Sequence, residues 1–238
     1  MRWFSNCLVI LLSSSLILIA ATSNAATPNQ KQLKPHIRNL PEIDLTAVEN
    51  LAIDQEFNLS GLSGLSNSTL DYGLANDWNA GLSLLNAQFY GAQTWLFQPD
   101  ALVNIEKHWQ FELGRLVVGS HAGAGFFAQG TRFINYSYLE FQQHFDQWDA
   151  DFDVGSYYGN AALAGFQSAG LHLNLELLLV AGLRLNSDYL SGNNGLSSAT
   201  FKLLYPLAKD WQLGLGVQIA TAQDVSDPYQ GMLGIYFH

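Results

Sequence analysis

A segment near the end of the chain alternates strictly between apolar residues and small or polar ones. One face of a period-two strand would carry Trp211, Leu213, Leu215, Val217 and Ile219, and the other face Gln212, Gly214, Gly216, Gln218 and Ala220. The second face of a strand in a soluble sandwich ordinarily carries charges, whereas Gly and Gln are typical of a wall around water. The segment therefore predicts a strand that separates an apolar environment from a wet interior.

Four Trp residues each come directly after a short polar segment that we interpret as a turn, namely Asn76-Asp77, Lys107-His108, Asp146-Gln147 and Lys209-Asp210. They are Trp78, Trp109, Trp148 and Trp211. Trp rings collect where an apolar wall meets water, because the ring is amphipathic. We predict that all four mark one membrane interface.

Residues 1–25 have the pattern of a secretory signal peptide. Arg2 supplies the positive charge, Cys7 to Ala21 the apolar stretch, and Ser23-Asn24-Ala25 the cleavage site. The apolar stretch is shorter than the ~20 residues of a spanning helix, which disfavours a retained anchor. Because the only cysteine is Cys7, we expect no disulfide and no lipid anchor in the mature chain.

Residues 26–54 are predicted to form a short periplasmic tail. Pro28, Pro35 and Pro41 disfavour regular structure there. The pair Thr46 and Glu49 matches a capping box for a short helix through Leu51. Such a helix would suit a plug of the barrel, but a flexible tail is the favoured interpretation.

The composition limits how the remaining chain enters a membrane. Beyond the signal peptide the longest apolar run is 177–183, which is too short for a spanning helix. Only 13% of residues are charged, against ~25% in an ordinary soluble domain. Any insertion must therefore use strands. The net charge of −10 disfavours nucleic acid as a partner.

Residues 55–238 contain twelve strand candidates, the even number expected of a closed antiparallel barrel. They are 55–65, 68–76, 78–90, 99–107, 109–122, 131–145, 148–159, 164–174, 177–187, 197–206, 210–221 and 228–238. The turn at Leu175-Glu176 is placed by length alone, so ten strands remain possible.

The predicted connections alternate between short turns and longer loops, as in outer-membrane barrels. The longer set is Tyr90–Gln98, His121–Arg132, Tyr158–Gly165, Ser187–Gly195 and Thr221–Asp227. A second aromatic cluster is predicted at the long-loop end: Trp95, Phe126, Phe127, Tyr157, Tyr158 and Tyr189. The sequence thus predicts an all-β fold, a transmembrane antiparallel up-and-down β-barrel of about 12 strands with a cleaved signal peptide and a short periplasmic N-terminal tail.

The last strand adds a family resemblance. It alternates through Tyr229, Leu233, Ile235 and Phe237, and it resembles the terminal insertion signal of bacterial outer-membrane β-barrel proteins, although His238 follows the final aromatic residue. The resemblance implies a porin-like barrel in the outer membrane of a Gram-negative bacterium. It also implies outer-membrane lipid and the barrel-assembly machinery as partners.

The predicted seventh strand would turn three carboxylates, Asp149, Asp151 and Asp153, into the lumen. A turn over residues 145–148 would place His144 opposite Asp149, Gln142 opposite Asp151 and Glu140 opposite Asp153, with His172 near Asp151. Other inward candidates are Asp71, Glu106, Glu112, Arg184 and Lys202. The acidic lining predicts a porin-like channel for small polar or cationic solutes. The alternatives are a polar network that fills a closed barrel and a non-conducting structural or surface-interaction barrel.

Two further chemistries are disfavoured. His144, His172 and their neighbouring Asp residues suit zinc or manganese, but no local ligand motif supports a metal, and we predict no cofactor. An outer-membrane lipid hydrolase needs a Ser and His that share a proton, whereas Ser120 and His121 are strand neighbours and point to opposite faces. We therefore predict no enzyme activity. Arg115 falls on the lipid face by strict alternation from Trp109, unless a bulge near Gly114 turns it inward.

Overall fold

The computed structural model describes residues 50–61, 63–91, 99–127, 130–164, 168–222 and 228–237. The signal peptide, the tail up to Glu49, Trp95 and His238 lie outside these ranges, so the predictions made for them stay predictions. Leu51, where the predicted short helix ends, is the first residue of a strand.

Twelve antiparallel strands form a closed up-and-down barrel, which confirms the predicted fold and strand number. They are β1 (Leu51–Leu59), β2 (Ser63–Leu74), β3 (Trp78–Gly91), β4 (Asp100–Phe111), β5 (Gly114–Phe127), β6 (Gly130–Phe145), β7 (Ala150–Gly159), β8 (Ala169–Val180), β9 (Leu183–Leu190), β10 (Ser198–Ala208), β11 (Trp211–Ala220) and β12 (Tyr229–Phe237). A single turn of helix, α1 (Ala161–Ala164), follows β7. The first strand begins at Leu51 rather than at residue 55, and β12 pairs with β1 to close the barrel.

The two faces of the wall differ as the alternation in β11 predicts. Leu215 and Val217 are about half exposed on the outside, whereas Gln218 is buried inside. Exposed apolar residues continue around the barrel on β3, β4, β8, β10 and β12, with Leu82, Val103, Leu171, Phe201 and Ile235 as examples. Such an apolar exterior belongs in lipid rather than in water. No helix among the described residues is long and apolar enough to cross a membrane.

Short turns connect the strands at one end of the barrel, which we name the short-turn end. They are residues 75–77, 112–113, 146–149, 181–182 and 209–210. The predicted turn at Leu175-Glu176 is wrong, because β8 continues to Val180 and the chain turns at Ala181-Gly182. Both turn residues have positive φ, 52° and 80°, as a two-residue hairpin turn that matches strand twist requires.

The prediction of a turn at Lys107-His108 is also wrong. Both residues lie inside β4, which continues to Phe111. Trp109 therefore comes before its turn rather than after it, and Trp148 lies within the turn 146–149 instead of opening β7. All four predicted interface Trp residues are nevertheless at the short-turn end.

At the opposite end, the predicted loop from His121 to Arg132 is largely strand. β5 runs to Phe127 and β6 begins at Gly130, so most of this segment belongs to the barrel wall. Within this segment, Gly123 and Gly125 lie in extended strand and pair with Leu102 and Asp100 of β4.

An apolar core lies inside the barrel at this end. Inward side chains of the strands pack with Leu163 of α1 and with Leu196, which follows β9. Ile134 and Leu196 are wholly buried there. Tyr157 and Phe127 pack against this core inside the barrel, which corrects their prediction as members of the second aromatic cluster. Phe126 and Tyr189, two other members of that cluster, are exposed on the outside.

Candidate functional site

The lumen between the apolar core and the short-turn end contains a cavity of about 640 Å³. Its lining is mostly polar and includes seven carboxylate side chains: Asp54, Glu56, Glu140, Asp151, Asp153, Glu176 and Asp188. Two basic side chains, Arg115 and Lys202, and two His residues, His144 and His172, share the lining. Even with both His protonated and nearby Arg184 added, five positive charges would face seven carboxylates. The described lining is therefore acidic.

The pairing of β6 with β7 differs from the predicted register by two residues. His144 lies opposite Asp151, Gln142 opposite Asp153, and Glu140 opposite Gly155. The reason is the turn 146–149, in which Asp149 adopts a positive φ of 43° instead of starting the strand. Because a shift of two preserves the face of every residue, Asp151 and Asp153 still face the lumen.

Arg184 organises the carboxylates at the short-turn end of the cavity. Its guanidinium donates hydrogen bonds to Asp149 Oδ1 and Glu176 Oε1, both at 2.9 Å, and lies 3.9 Å from Asp151 Oδ2. The His144 ring lies 2.8 Å from the same Asp151 carboxylate. Glu176 was not predicted to be an inward residue. Because the turn was placed at Leu175-Glu176, the alternation of inward residues from His172 through Asn174 was not extended to Glu176.

His172 lies between two carboxylates in the middle of the lumen. Its Nδ1 is 2.5 Å from Glu140 Oε1, and its Nε2 is paired with Asp188. It lies opposite Gly155 rather than near Asp151, which corrects the predicted contact. Asp188 was assigned to a loop by the sequence analysis but belongs to β9.

Two carboxylate groups near His172 lack complete partners. Among the described residues, Asp153 forms no hydrogen bond or ion pair, and the buried Glu140 Oε2 accepts no hydrogen bond. Unpaired buried polar atoms are uncommon in folded proteins. Glu140 and Asp153 therefore form an underpaired part of the described acidic lining.

Lys202 occupies the opposite wall. Its Nζ lies 3.7 Å from Glu56 Oε2 and 5.4 Å from the centre of the Tyr236 ring, and the Tyr236 hydroxyl donates to the same Glu56 oxygen at 3.0 Å. Gly216 makes room for this arrangement, since a Cβ there would stand 2.8 Å from Lys202 Cγ. Lys202 is thus paired on its own wall and faces the inner cavity as predicted.

A second buried polar cluster surrounds Glu106. The Tyr138 hydroxyl donates to Glu106 Oε1, and His108 Nε2 and His121 Nε2 lie 3.4 Å and 3.9 Å from the Glu106 carboxylate. These groups are nearly inaccessible to solvent. They form a hydrogen-bonded polar network of the kind that would fill a closed barrel. Asp71 also faces inward, within 3.4 Å of the Asn104 amide, whereas Glu112 lies in an exposed turn.

Arg115 points into the lumen without a bulge. The two-residue turn 112–113 pairs Arg115 with Gln110, so the parity counted from Trp109 reverses across the turn. Its Nε and Nη2 donate to Gln142 Oε1 at 2.8 Å and 2.5 Å. The cost of a charge in lipid, ~2–4 kcal/mol, is thereby avoided.

The two disfavoured chemistries find no support in the geometry. Ser120 contacts Ser137 at 3.0 Å on the outer face, whereas the His121 ring lies inside against Tyr138. The described residues contain no group of three or more His, Cys, Asp or Glu side chains that is arranged to hold a metal.

The predicted interface Trp residues have aromatic or cationic neighbours at the short-turn end. Lys107 Nζ lies 5.9 Å from the Trp78 ring and 5.4 Å from the Trp109 ring. Trp211 packs at 5.0 Å against Phe237 of the closing strand. The other residues of the predicted insertion signal, Tyr229, Leu233 and Ile235, are exposed on the outer face.

A closed antiparallel barrel with an apolar exterior and a polar lumen defines the class of this protein. It is a transmembrane β-barrel of the kind that occurs in bacterial outer membranes. No protein-family model and no curated protein sequence matches the chain.

Solved porins share this fold. The KdgM porin in complex with disordered oligogalacturonate is similar with a TM-score of 0.57 and 14% identity, over 79% of this chain and 98% of that chain. The NanC porin is similar with a TM-score of 0.51 and 13% identity, over 79% and 100%. The COG4313 outer membrane channel from Pseudomonas putida F1 is similar with a TM-score of 0.52 and 11% identity, over 87% and 99%. At identities this low, the similarity shows that the folds are alike and nothing more.

Proposed function

We propose that this barrel is a channel for small polar solutes that prefers cations, without catalytic activity. The observation that carries the proposal is the excess of carboxylates along the cavity in the lumen. A low-dielectric wall lined by one sign of charge concentrates the opposite ion inside it. The fold of the similar porins supports a channel, and the lining supports the choice of ion.

The charge of the lumen bears on whether the ligand of one similar porin would suit this chain. Oligogalacturonate, which that KdgM structure contains, is an acidic oligosaccharide. The seven carboxylates of the present cavity would repel such a polyanion. We therefore transfer the barrel architecture, but not that substrate, to this chain.

The inward carboxylates can remain ionised only if the lumen is wet. Asp151 and Asp153 are two apart on β7, or ~6.6 Å along the strand. Two unit charges at that distance repel by ~0.6 kcal/mol in bulk water, but by ~2.5 kcal/mol at an effective dielectric constant of 20. Arg184, 3.9 Å from Asp151, offsets part of this repulsion.

The first prediction tests the acidic lining by replacing Asp149, Asp151 and Asp153 together with Asn. The replacement retains side-chain shape and removes three negative charges, while Arg184 keeps its bond to Glu176. The reversal potential under a salt gradient should move toward anion preference. The shift should be largest at low salt, where the Debye length reaches ~30 Å.

The matched control is Asp210→Asn, which removes a charge from the exposed turn 209–210 outside the cavity. It should leave the reversal potential near the wild-type value. An unchanged reversal potential in a conducting triple variant would contradict the acidic-lining proposal.

A second candidate function is a non-conducting structural or surface-interaction barrel. It is favoured by the apolar core inside the barrel opposite the short-turn end, where Leu196 and Ile134 are wholly buried. Planar-bilayer recordings of folded wild-type protein separate the two functions. Absence of conductance would support the non-conducting barrel.

A further inference from the structure

The wall formed by β6, β7 and β8 carries a block of inward residues around Gly155. Glu140 and His172 lie on either side of Gly155, and one step toward the short-turn end Gln142 and Asn174 lie on either side of Asp153. Diagonal neighbours on adjacent strands are ~7–8 Å apart at Cα and remain within reach of long side chains. Glu140 and Asp153 therefore converge on the same patch of the cavity.

The Glu140 side chain is held in one orientation. It lies across Gly155, where an added Cβ would collide with Glu140 Cγ, and its Oε1 is fixed by His172 Nδ1 at 2.5 Å. Glu140 lines the cavity although only 1% of the residue is exposed. Its Oε2 finds no hydrogen-bond donor among the described residues.

The local charge is only partly compensated, because Arg115 acts electrostatically on Asp153 but donates its hydrogen bonds to Gln142. His172 carries at most one positive charge between Glu140 and Asp188, and Asp153 has no ion pair within the described ranges. Arg184 contacts three other carboxylates, those of Asp149, Asp151 and Glu176. A buried carboxylate without a partner is unfavourable, so a bound cation would stabilise this wall.

We propose that Glu140 and Asp153 bind a primary alkylammonium group in the lumen, with Asn174 as a third acceptor. This site rests on the proposed function, because the cation reaches it through the lumen. An ammonium group offers three donors, which match Glu140 Oε2, the Asp153 carboxylate and the Asn174 amide oxygen. At Glu140 a guanidinium fits less well, since His172 occupies one carboxylate oxygen and leaves only one for the guanidinium fork.

The test measures binding of n-butylammonium chloride by titration calorimetry to the refolded full barrel in detergent. Glu140→Gln and Asp153→Asn should each weaken the affinity about tenfold or more, because each removes one charge-assisted hydrogen bond. Two variants are used so that failure of one to fold leaves the other. Heat-modifiable migration on gels reports folding for both.

The matched control is Asp54→Asn, which removes one carboxylate from the same cavity on β1. Its affinity for n-butylammonium should stay within about twofold of wild type. Tetramethylammonium, which has the charge but no N–H donor, should bind at least tenfold more weakly than n-butylammonium.

Equal affinity of wild type, Glu140→Gln and Asp153→Asn would overturn the site, as would equal binding of the two cations. A cation-selective conductance without amine binding would overturn the site and leave the channel intact. Amine binding that depends on both carboxylates, in a barrel without conductance, would support the site and overturn the channel.

Discussion

Glycine on the inner face determines where large polar side chains lie. Gly119 of β5 faces the Tyr138 ring, and a Cβ at this position would collide with it. Tyr138 in turn donates to the buried Glu106 carboxylate. The absent side chain of Gly119 thus allows a hydrogen bond that satisfies a buried acid.

We predict that Gly119→Ala destabilises the barrel by ~1–3 kcal/mol, the usual range for overpacking. The added methyl group displaces Tyr138 and weakens its bond to Glu106. Urea unfolding in lipid vesicles measures the change. Gly231→Ala is the control, because a Cβ there meets only Leu59 O at an ordinary 3.7 Å; equal unfolding midpoints for the two variants would refute the prediction.

The elements were predicted from the sequence better than their register. Alternation reveals which face a residue occupies but not its partner, so the two-residue shift between β6 and β7 changed no face and left no trace in the pattern. An error of an odd number of residues is visible, as with Arg115, whose position looked inconsistent because the turn was placed at Lys107-His108, five residues before the observed turn 112–113.

The apolar core inside the barrel was not predicted, for a different physical reason. Leu163 and Leu196 lie in connections, where period-two alternation does not apply, and their inward packing depends on contacts between segments distant in sequence. The pair Glu140 and Asp153 was identified as inward, whereas Glu176 and Asp188 were hidden by misplaced strand ends.

The closing element β12 carries the next prediction. It pairs with β1 from Ile53 opposite Phe237 to Leu59 opposite Gly231, and with β11 on its other side. Deleting residues 229–238 would leave two open edges whose backbone groups lipid cannot satisfy. The truncated chain should fail to assemble.

Heat-modifiable gel migration and outer-membrane fractionation measure this assembly. Deleting His238 alone is the control, because it leaves the paired strand and its final Phe237 intact. If the longer truncation behaved like wild type in both assays, β12 would not be required for closure.

The two ends of the barrel differ in how they are built. The short-turn end carries tight turns and the carboxylates of Asp149, Asp151 and Glu176 around Arg184. The opposite end holds the apolar core with α1. In outer-membrane barrels the short turns face the periplasm. We expect the same orientation here, which places the acidic mouth of the cavity on the periplasmic side.

The last prediction tests this orientation through Trp78, Trp109, Trp148 and Trp211. All four lie at the short-turn end, and Trp148 and Trp211 are 65% and 46% exposed. Because Trp prefers the interface, single-Trp variants should be quenched most strongly by lipid-attached quenchers placed near the headgroups, and at one common depth. Trp3, in the predicted signal peptide, and Trp95, outside the described ranges, are replaced by Phe in every variant.

Scattered depths of the four Trp residues would contradict a shared interface. Protection of all four from a membrane-impermeant quencher added outside intact cells would support the periplasmic assignment.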